Sequence, residues 1–302
     1  MRPAAVALMG STGSGKSKLA MELATRTGAS IIVCDSMQVY RGLDIGTAKP
    51  SRKDRESVTH FILDCAGLPE VFSAVRWAEG AQRAIESEND RGVIPLITGG
   101  TGLYLRALLQ GLADIPDEQE GVRSRLAGEA ERLGIPAMHA RLAEVDAATA
   151  ARLKPNDTQR ILRALAVFES SGVPLSEWTG SQQQGRNIQC LIFVLNVERP
   201  ELHRGIEARF RAMLRAGWLE EVRWLASLEL SDTHPAMRAV GYRQLLAHVR
   251  GECSLDEAID KGIAATRQYA KRQETWFRHQ TSEAFWGDAV QLAPELLKAL
   301  RQ

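Results

Sequence analysis

The sequence predicts an α/β protein with a parallel β-sheet, helices on both faces of that sheet and an all-helical insertion domain. Short apolar runs alternate with helical patterns along most of the chain, an order typical of a doubly wound parallel sheet. Between residue 114 and about residue 185 the pattern changes to charged helical segments only. The chain has 302 residues, 44% of them apolar and 25% charged, which is ordinary for a globular protein of one or two domains.

Five apolar runs are candidate strands, and helical patterns lie between several of them. The runs are Ala4–Met9, Ser30–Cys34, His60–Leu63, Val93–Thr98 and Gln189–Val197. In the segment 74–87, apolar side chains recur at helical spacing at Val75, Ala78, Ala81 and Ile85. These four side chains are predicted to face the core.

The insertion is predicted from helical patterns that proline and glycine interrupt. Its predicted helices are Glu118–Leu133, Ala137–Val145, Ala147–Leu153 and Asp157–Ser170. Four further helices are predicted to close the chain, at Leu202–Ala216, Leu219–Leu228, Ala239–Val249 and Leu255–Arg278. The predicted domains are therefore a core formed by 1–114 and 186–302, with a helical insertion at 115–185.

A phosphate-binding loop follows the first candidate strand. Its eight residues have the complete spacing G-x-x-x-x-G-K-[ST] and are Gly10, Ser11, Thr12, Gly13, Ser14, Gly15, Lys16 and Ser17. The glycines let the backbone form a nest of N–H donors, and a helix beginning near Lys16, with Leu19 and Leu23 inward, adds the positive end of its dipole. Lys16 neutralises phosphate charge and Ser17 can ligate Mg²⁺. The sequence thus predicts a P-loop NTPase-like core that holds a nucleotide or another polyphosphate.

Two further turns are expected at the carboxyl edge of the sheet, where ligands of open α/β sheets bind. Asp35 follows the second strand and is a candidate general base or Mg²⁺ partner, or else a cap of the turn at Ser36. The sequence GGTG at 99–102 opens a helix through Tyr104 and predicts a second nest of N–H donors, or a plain strand-to-helix turn. Thr101 adds a hydroxyl that a plain turn does not require.

The strand before GGTG argues against ATP hydrolysis. In a typical phosphate-loop hydrolase an apolar strand ends in an aspartate that holds Mg²⁺, whereas this run ends in Thr98 and glycines.

Basic side chains are candidates for RNA contacts. On the last long helix Arg267 and Lys271 lie four residues apart, and Tyr269, Trp276 and Phe277 interleave with the basic residues. This pattern is compatible with phosphate contacts and base stacking, or with a solvated face above core aromatics. Basic and polar candidates in the insertion are Arg123, Arg125, Gln159, Arg160 and Arg163.

Charge, cysteines and the first residues set broader limits. A net charge of +1 excludes the global basicity of many nucleic-acid binders, so RNA contacts must come from local patches. The four cysteines form no C-x-x-C pair and predict neither a zinc knuckle nor a disulfide framework. The short apolar run at the start leads directly into the phosphate loop and is unlike a signal peptide, which predicts a cytoplasmic protein without a membrane partner.

Six blocks of sequence resemble one family nearly from end to end. They are GSTGSGKS at 10–17, DSMQVYRGLDIGTAKP at 35–50, GGTGLYLRALLQGL at 99–112, PNDTQRILRALAVF at 155–168, AVGYRQ at 239–244 and TRQYAKRQETWFR at 266–278. In this combination and order the chain resembles the tRNA dimethylallyltransferases, also called tRNA isopentenyltransferases. The family usually has Pro and Ala where this chain has Ser11 and Gly13, and its longer eukaryotic members carry a zinc finger that has no counterpart here. A bacterial-type enzyme is implied.

The resemblance implies a reaction. Members of the family transfer a five-carbon prenyl group from dimethylallyl diphosphate to the exocyclic amine of the adenosine immediately 3′ of the anticodon, with Mg²⁺, and release diphosphate. By match to the family, Asp35 accepts the proton of the amine and Thr101 hydrogen-bonds the oxygen that joins the prenyl carbon to diphosphate. Lys16, Ser17 and Arg209 stabilise the charge that gathers on the diphosphate.

The resemblance also implies how tRNA is bound, by an enzyme expected to be a monomer. The target adenosine must leave the stack of the anticodon loop and enter a channel, and the insertion is expected to close over that loop. The residues that match tRNA-contacting segments of the family, together with the two basic residues of the last long helix, are Asp35, Ser36, Met37, Gln38, Thr101, Arg123, Gln159, Arg160, Ile161, Leu162, Arg163, Arg267 and Lys271.

A small-molecule kinase is the alternative function. It would explain the phosphate loop, the closing insertion and Asp35 as a base that activates a hydroxyl, but not the basic and aromatic residues of 267–273.

Overall fold

The computed structural model describes residues 2–113, 115, 116, 118, 119, 121–180, 185–281 and 283–302. Six strands form one sheet, and every pair in it is parallel. The strands are β1 (Ala5–Gly10), β2 (Ile31–Cys34), β3 (His60–Phe61), β4 (Leu96–Gly99), β5 (Cys190–Leu195) and β6 (Phe285–Gly287). Their order across the sheet is β3-β2-β4-β1-β5-β6. The predicted fold class is confirmed.

Four of the five predicted strands are shorter than predicted. β2 begins one residue later, at Ile31, and β5 spans only Cys190–Leu195. β3 and β4 are shortened for local reasons. β4 begins at Leu96 and not at Val93, because Pro95 has no N–H to donate to a ladder. β3 ends at Phe61 and not at Leu63, because Ile62 (φ 59°) and Asp64 (φ 53°) adopt left-handed backbone that cannot continue a strand. The short edge strand β6 was not predicted.

The described residues form fifteen helices. They are α1 (Lys16–Thr27), α2 (Arg52–Ser57), α3 (Ala74–Asp90), α4 (Gly102–Gln110), α5 (Val122–Leu133), α6 (Ile135–Val145), α7 (Ala147–Arg152), α8 (Thr158–Ser171), α9 (Leu175–Gly180), α10 (Arg199–Arg215), α11 (Trp218–Ser227), α12 (Pro235–Arg238), α13 (Tyr242–Val249), α14 (Leu255–Gln280) and α15 (Ala289–Leu300). The helix predicted at Ala239–Val249 begins only at Tyr242, because Gly241 (φ 88°) separates it from α12. Helices α2, α9, α12 and α15 were not predicted. No helix in the described ranges is long and apolar enough to cross a membrane.

Both faces of the sheet are covered. Alternate strand residues such as Val6 and Leu8 pack against α1 and α15, while Ala7 and Met9, which point the other way, are also fully buried. Burial on both faces is what a parallel sheet requires.

The buried stripe of α3 differs from the prediction at one position. Ala78, Ala81 and Ile85 are buried as predicted, but Val75 is 38% exposed and the prediction for it was wrong. Trp77 is the residue that faces inward. Its indole donates to the carbonyl of Val33 at 2.7 Å.

The chain divides into two compact units. The core unit comprises 1–109 and 187–302, and the helical unit comprises 110–186, against predicted insertion bounds of 115 and 185. Residues 117, 120 and 181–184 of the predicted insertion, and residue 114 just before it, lie outside the described residues. The core of the helical unit includes Leu126, Leu142, Ile161 and Leu165. The buried Asp146 caps α7 through the N–H of Thr149 and also accepts the N–H of Ser176, in the first turn of α9.

Replacing Trp77 with alanine is expected to lower the free energy of unfolding by about 3–5 kcal/mol, because it empties a buried site and leaves the Val33 carbonyl without its donor. Urea unfolding measures the change. The control is Val75→Ala on the same helix, which is expected to stay within about 0.5 kcal/mol. Equal losses in the two variants would contradict the assignment of Trp77 to the core.

Candidate active site

The phosphate loop joins β1 to α1 and leaves several N–H donors free. Gly13 (φ 85°) and Gly15 (φ 84°) adopt the left-handed backbone that lets the loop turn. A Cβ at Gly13 would lie 2.7 Å from Ile206, so this position has room only for glycine. In the described part of the chain, the N–H groups of Gly15, Lys16 and Ser17 have no acceptor. These donors at the beginning of a helix form a site for an anion.

Two cations lie beside these donors without a matching number of anions. Lys16 begins α1, and Arg209 lies on α10. Both side chains are half-buried, and no carboxylate of the described residues forms an ion pair with either. Burial and the nearby Arg209 lower the pKa of Lys16 to about 8, and Asp35 only partly opposes this. Burial also lowers the pKa of Arg209, against the effect of Asp35. The excess of positive charge favours a bound polyanion.

Lys16, Ser17 and Arg209 line two adjacent cavities of the core unit. The smaller cavity has a volume of about 370 Å³, and Asp35 and Gln38 also line it. The larger has a volume of about 940 Å³ and extends along α10 and the segment 48–52. The predicted phosphate-binding residues and the predicted base therefore face one space.

The two carboxylate oxygens of Asp35 have different environments. Oδ1 accepts the N–H groups of Met37 at 2.8 Å and Gln38 at 3.3 Å, so the carboxylate caps the turn after β2. No described residue donates a hydrogen bond to Oδ2. The turn thus holds the carboxylate in place while one oxygen remains open to a proton.

Thr101 is bonded to the turn after β2. Its N–H donates to the carbonyl of Cys34 at 3.2 Å, and its hydroxyl accepts the N–H of Ser36 at 3.1 Å. The N–H of Thr101 is therefore engaged and is not one of the free donors that a second nest would offer. Its hydroxyl proton stays available for donation, although Thr101 is not among the residues that line the smaller cavity.

A carboxylate that the sequence analysis missed holds the loop beside the cavity. Glu221 of α11 accepts the N–H groups of Asp44 (2.7 Å), Ile45 (2.7 Å) and Gly46 (3.0 Å), and also the hydroxyl of Tyr242 (2.5 Å). Gly46 has no room for a side chain, since a Cβ there would lie 1.9 Å from the Trp218 indole nitrogen. This clamp fixes the segment whose next residues line the cavity.

Two residues of α14 that were not assigned to the site also line it. Tyr269 lies near Asp35, and burial, with a further contribution from Asp35, raises the pKa of Tyr269 to about 12. Gln273 is 7% exposed and bonds to both glycine-rich loops. The signal that identifies Gln273 is its place on the buried stripe with Ala270 and Phe277, because a polar side chain there needs partners.

The other residues of the core unit that were predicted to contact RNA differ in their exposure and in the partners that they already have. Lys271 is exposed, and no described residue forms an ion pair with it. Arg267 is half-buried and pairs with Glu207 at 3.1 Å, so its charge is partly neutralised. Ser36 donates to Thr101, and Met37 packs against a hydrophobic cluster of the core unit.

In the helical unit all four predicted arginines already pair with carboxylates, Arg125 with Glu129 and Glu169. Arg123 and Arg163 both pair with Glu118, and Arg160 pairs with Asp157. Gln159 is exposed and Leu162 is half-buried. Ile161 is fully buried in the core of the helical unit, so its side chain packs inside that unit.

Fold and site together define a phosphate-loop α/β protein that is built to hold a polyphosphate next to a carboxylate. A family model described as IPP transferase matches residues 38–280. A tRNA dimethylallyltransferase of Xylella fastidiosa is 46% identical over 299 residues, 95% of this chain and 93% of the relative. One of Halorhodospira halophila is 48% identical over 277 residues, 91% of this chain and 89% of the relative. The chain belongs to the tRNA dimethylallyltransferase family.

Solved structures of related transferases are similar to this chain in fold. The tRNA isopentenylpyrophosphate transferase of Bacillus halodurans superposes with a TM-score of 0.69 at 31% identity, covering 98% of this chain and 96% of that one. A eukaryotic dimethylallyltransferase, crystallised while acting on tRNA, superposes with a TM-score of 0.76 at 26% identity, covering 94% of this chain and 73% of that one.

The lowered pKa of Lys16 predicts how the affinity for inorganic diphosphate depends on pH. The protonated ammonium attracts the anion and is lost as the pH rises through about 8, so affinity is expected to fall by up to about tenfold between about pH 7 and about pH 9. A lysine with an ordinary pKa would keep the affinity unchanged over that range. Calorimetric titration measures it, and Lys16→Ala in the same buffers corrects for titration of diphosphate itself. Parallel pH profiles of the two proteins would contradict the prediction.

Proposed function

We infer that this chain transfers a dimethylallyl group from dimethylallyl diphosphate to the exocyclic amine of the adenosine 3′-adjacent to the anticodon of tRNA, releasing diphosphate. Membership of the family supports this function. The observation that carries it is the site itself, in which the unpaired cations Lys16 and Arg209 and the free N–H donors lie on the same cavity as Asp35. One side of that cavity suits a diphosphate and the other suits a nucleophile that must lose a proton.

At the donor end, the bond between the prenyl carbon and the bridging oxygen breaks, and its electron pair stays on diphosphate. Lys16, Arg209 and the N–H groups of Gly15 and Ser17 stabilise the growing negative charge, which lowers the barrier more than it stabilises the bound donor. The Thr101 hydroxyl, whose proton is uncommitted, is proposed to donate to the bridging oxygen.

At the acceptor end, the exocyclic amine of adenosine attacks the prenyl carbon and a new C–N bond forms. The lone pair of this amine is delocalised into the ring, so a base that accepts its proton as the bond forms is useful. Asp35 is placed for this, since its Oδ1 is held by the turn and its Oδ2 is open. The target base must leave the loop stack to reach the cavity.

Mg²⁺ fits this site as an ion that arrives with the diphosphate. The Ser17 hydroxyl is exposed at the beginning of α1, and no described residue bonds to it. Among the described residues no group of three or more histidine, cysteine or acidic side chains is arranged to hold a metal. One hydroxyl plus phosphate oxygens and water is a sufficient set of Mg²⁺ ligands, and the ion would neutralise charge on the leaving group.

The small-molecule kinase has less support than the prenyltransferase. β4 ends without the metal-binding aspartate of phosphate-loop hydrolases, and the curated relatives reported above carry the transferase name. We also propose that Lys271, Arg123 and Arg160 contact the tRNA backbone, and that the enzyme acts as a monomer in the cytoplasm, where its RNA substrate is found.

The direct test uses labelled dimethylallyl diphosphate and an anticodon stem-loop RNA. We expect label to enter the adenosine-containing loop, but not the same loop with guanosine at the target position, because guanosine has no exocyclic amine at the reacting position. Chromatography of the digested RNA identifies the product.

Binding and a free nucleotide provide the controls for this test. Dimethylallyl diphosphate is expected to raise the melting temperature more than ATP does. Stabilisation by ATP alone would favour a kinase, and prenylation of free AMP as efficient as that of the stem-loop would contradict a tRNA substrate.

The proposed role of Asp35 predicts different effects for two substitutions. Asp35→Asn keeps an oxygen that can cap the turn but removes the base, so we expect transfer to slow by about 10²-fold or more with an unchanged melting temperature. Asp35→Ala removes the cap as well and is expected to lower the melting temperature too. Single-turnover transfer and thermal unfolding measure the two effects. If folded Asp35→Asn protein turns over at nearly the wild-type rate, Asp35 is only a cap.

A further inference from the structure

One buried amide joins the two glycine-rich loops of the active site. The Gln273 side chain accepts the N–H of Thr12 through Oε1 at 2.8 Å and donates through Nε2 to the carbonyl of Gly100 at 2.9 Å. Thr12 belongs to the loop after β1, and Gly100 belongs to the turn after β4, the neighbouring parallel strand. Apart from these two bonds, no hydrogen bond between described residues links the two loops.

Only glutamine satisfies both loops at this place. Glutamate could accept from Thr12 but could not donate to Gly100, and methionine of similar shape could do neither. The fit is also steric, because a Cβ at Gly100 would lie 2.2 Å from Nε2 of Gln273. The glycine and the glutamine therefore depend on each other.

The two loops that Gln273 joins carry the two ends of the reaction. The loop after β1 holds Lys16, which faces the diphosphate. The turn after β4 continues into Thr101, whose hydroxyl accepts the N–H of Ser36 next to Asp35. Gln273 itself lines the smaller cavity, one helical turn from Tyr269. The amide thus links the loop expected to hold the leaving group with the turn that contacts the segment of the proposed base.

We propose that Gln273 is a positioning residue that fixes the phosphate loop relative to Thr101 and Asp35, so that its loss slows prenyl transfer much more than it weakens diphosphate binding. This rests on the proposed function. The diphosphate site is formed by the loop after β1, the beginning of α1 and Arg209, so we expect it to remain formed without Gln273. Transfer, in contrast, requires the correct position of the loop after β1 relative to the turn after β4. A displacement of about 1 Å between reacting groups can slow a reaction by about 10²-fold.

The test compares Gln273→Met with wild type and with Gln268→Met, an exposed position on the same helix. For Gln273→Met we expect single-turnover transfer to a stem-loop RNA to fall by about 10–100-fold, and the Kd for inorganic diphosphate to change by less than about threefold. Hydrogen exchange of the peptide that spans 10–17 should speed up, because the N–H of Thr12 has lost its acceptor. Gln268→Met should match wild type in all three measurements.

Each other outcome has a defined meaning. Parallel losses of transfer and diphosphate affinity, with a lower melting temperature, would show a merely structural role and overturn the proposal, as would wild-type transfer by Gln273→Met. If that variant does not fold, Gly100→Ala displaces the amide from the other side and should give the same split between transfer and binding. Absence of transfer by the wild-type enzyme would instead contradict the proposed function, while the diphosphate and exchange measurements would still report on the amide.

Discussion

The active site depends on positive charge that the chain itself leaves without a partner. Removing a cation from water costs several kcal/mol unless an anion compensates it, yet Lys16 and Arg209 are both half-buried and have only Asp35 nearby. Burial, with a further contribution from the nearby Arg209, lowers the pKa of Lys16. A bound anion would compensate this buried positive charge, so anion binding and neutralisation of the site would be the same event.

The rest of the core unit holds this charge in place. Parallel pairing brings the carboxyl ends of β1, β2 and β4 to one edge, so the phosphate loop, Asp35 and Thr101 meet there although they are far apart in sequence. Side chains from the later helices then fix the loops. Glu221 clamps the segment 44–46, and Gln273 joins the phosphate loop to the turn after β4. Preorganisation of this kind lets the site stabilise developing charge without rearranging during the reaction.

The proposed RNA contacts differ from the diphosphate site in their electrostatics. The chain carries a net charge of only +1, and the helical unit pairs Arg123 and Arg163 with Glu118. Arg125 and Arg141 likewise share Glu129 and Glu169. At the proposed RNA contacts, phosphates would have to compete with these carboxylates, which would lower the gain from each contact.

Local sequence alone determined most of the strand-and-helix order, but not β6 or helices α2, α9, α12 and α15. It also determined the phosphate loop and the placement of Asp35 at the end of a strand, because these depend on periodicity and on residues close together in the chain. It also identified Thr101, but not that its N–H is engaged. Only the tertiary structure decided which partners meet. Nothing in the pattern of α10 distinguishes Arg209 from a surface arginine, and helical spacing could not show that Trp77 faces inward instead of Val75, or that Ile161 is buried. Gln273 acquires its function only where α14 crosses the ends of β1 and β4, since the two groups that it joins come from loops almost 90 residues apart. Long-range packing, which no local pattern encodes, sets these contacts.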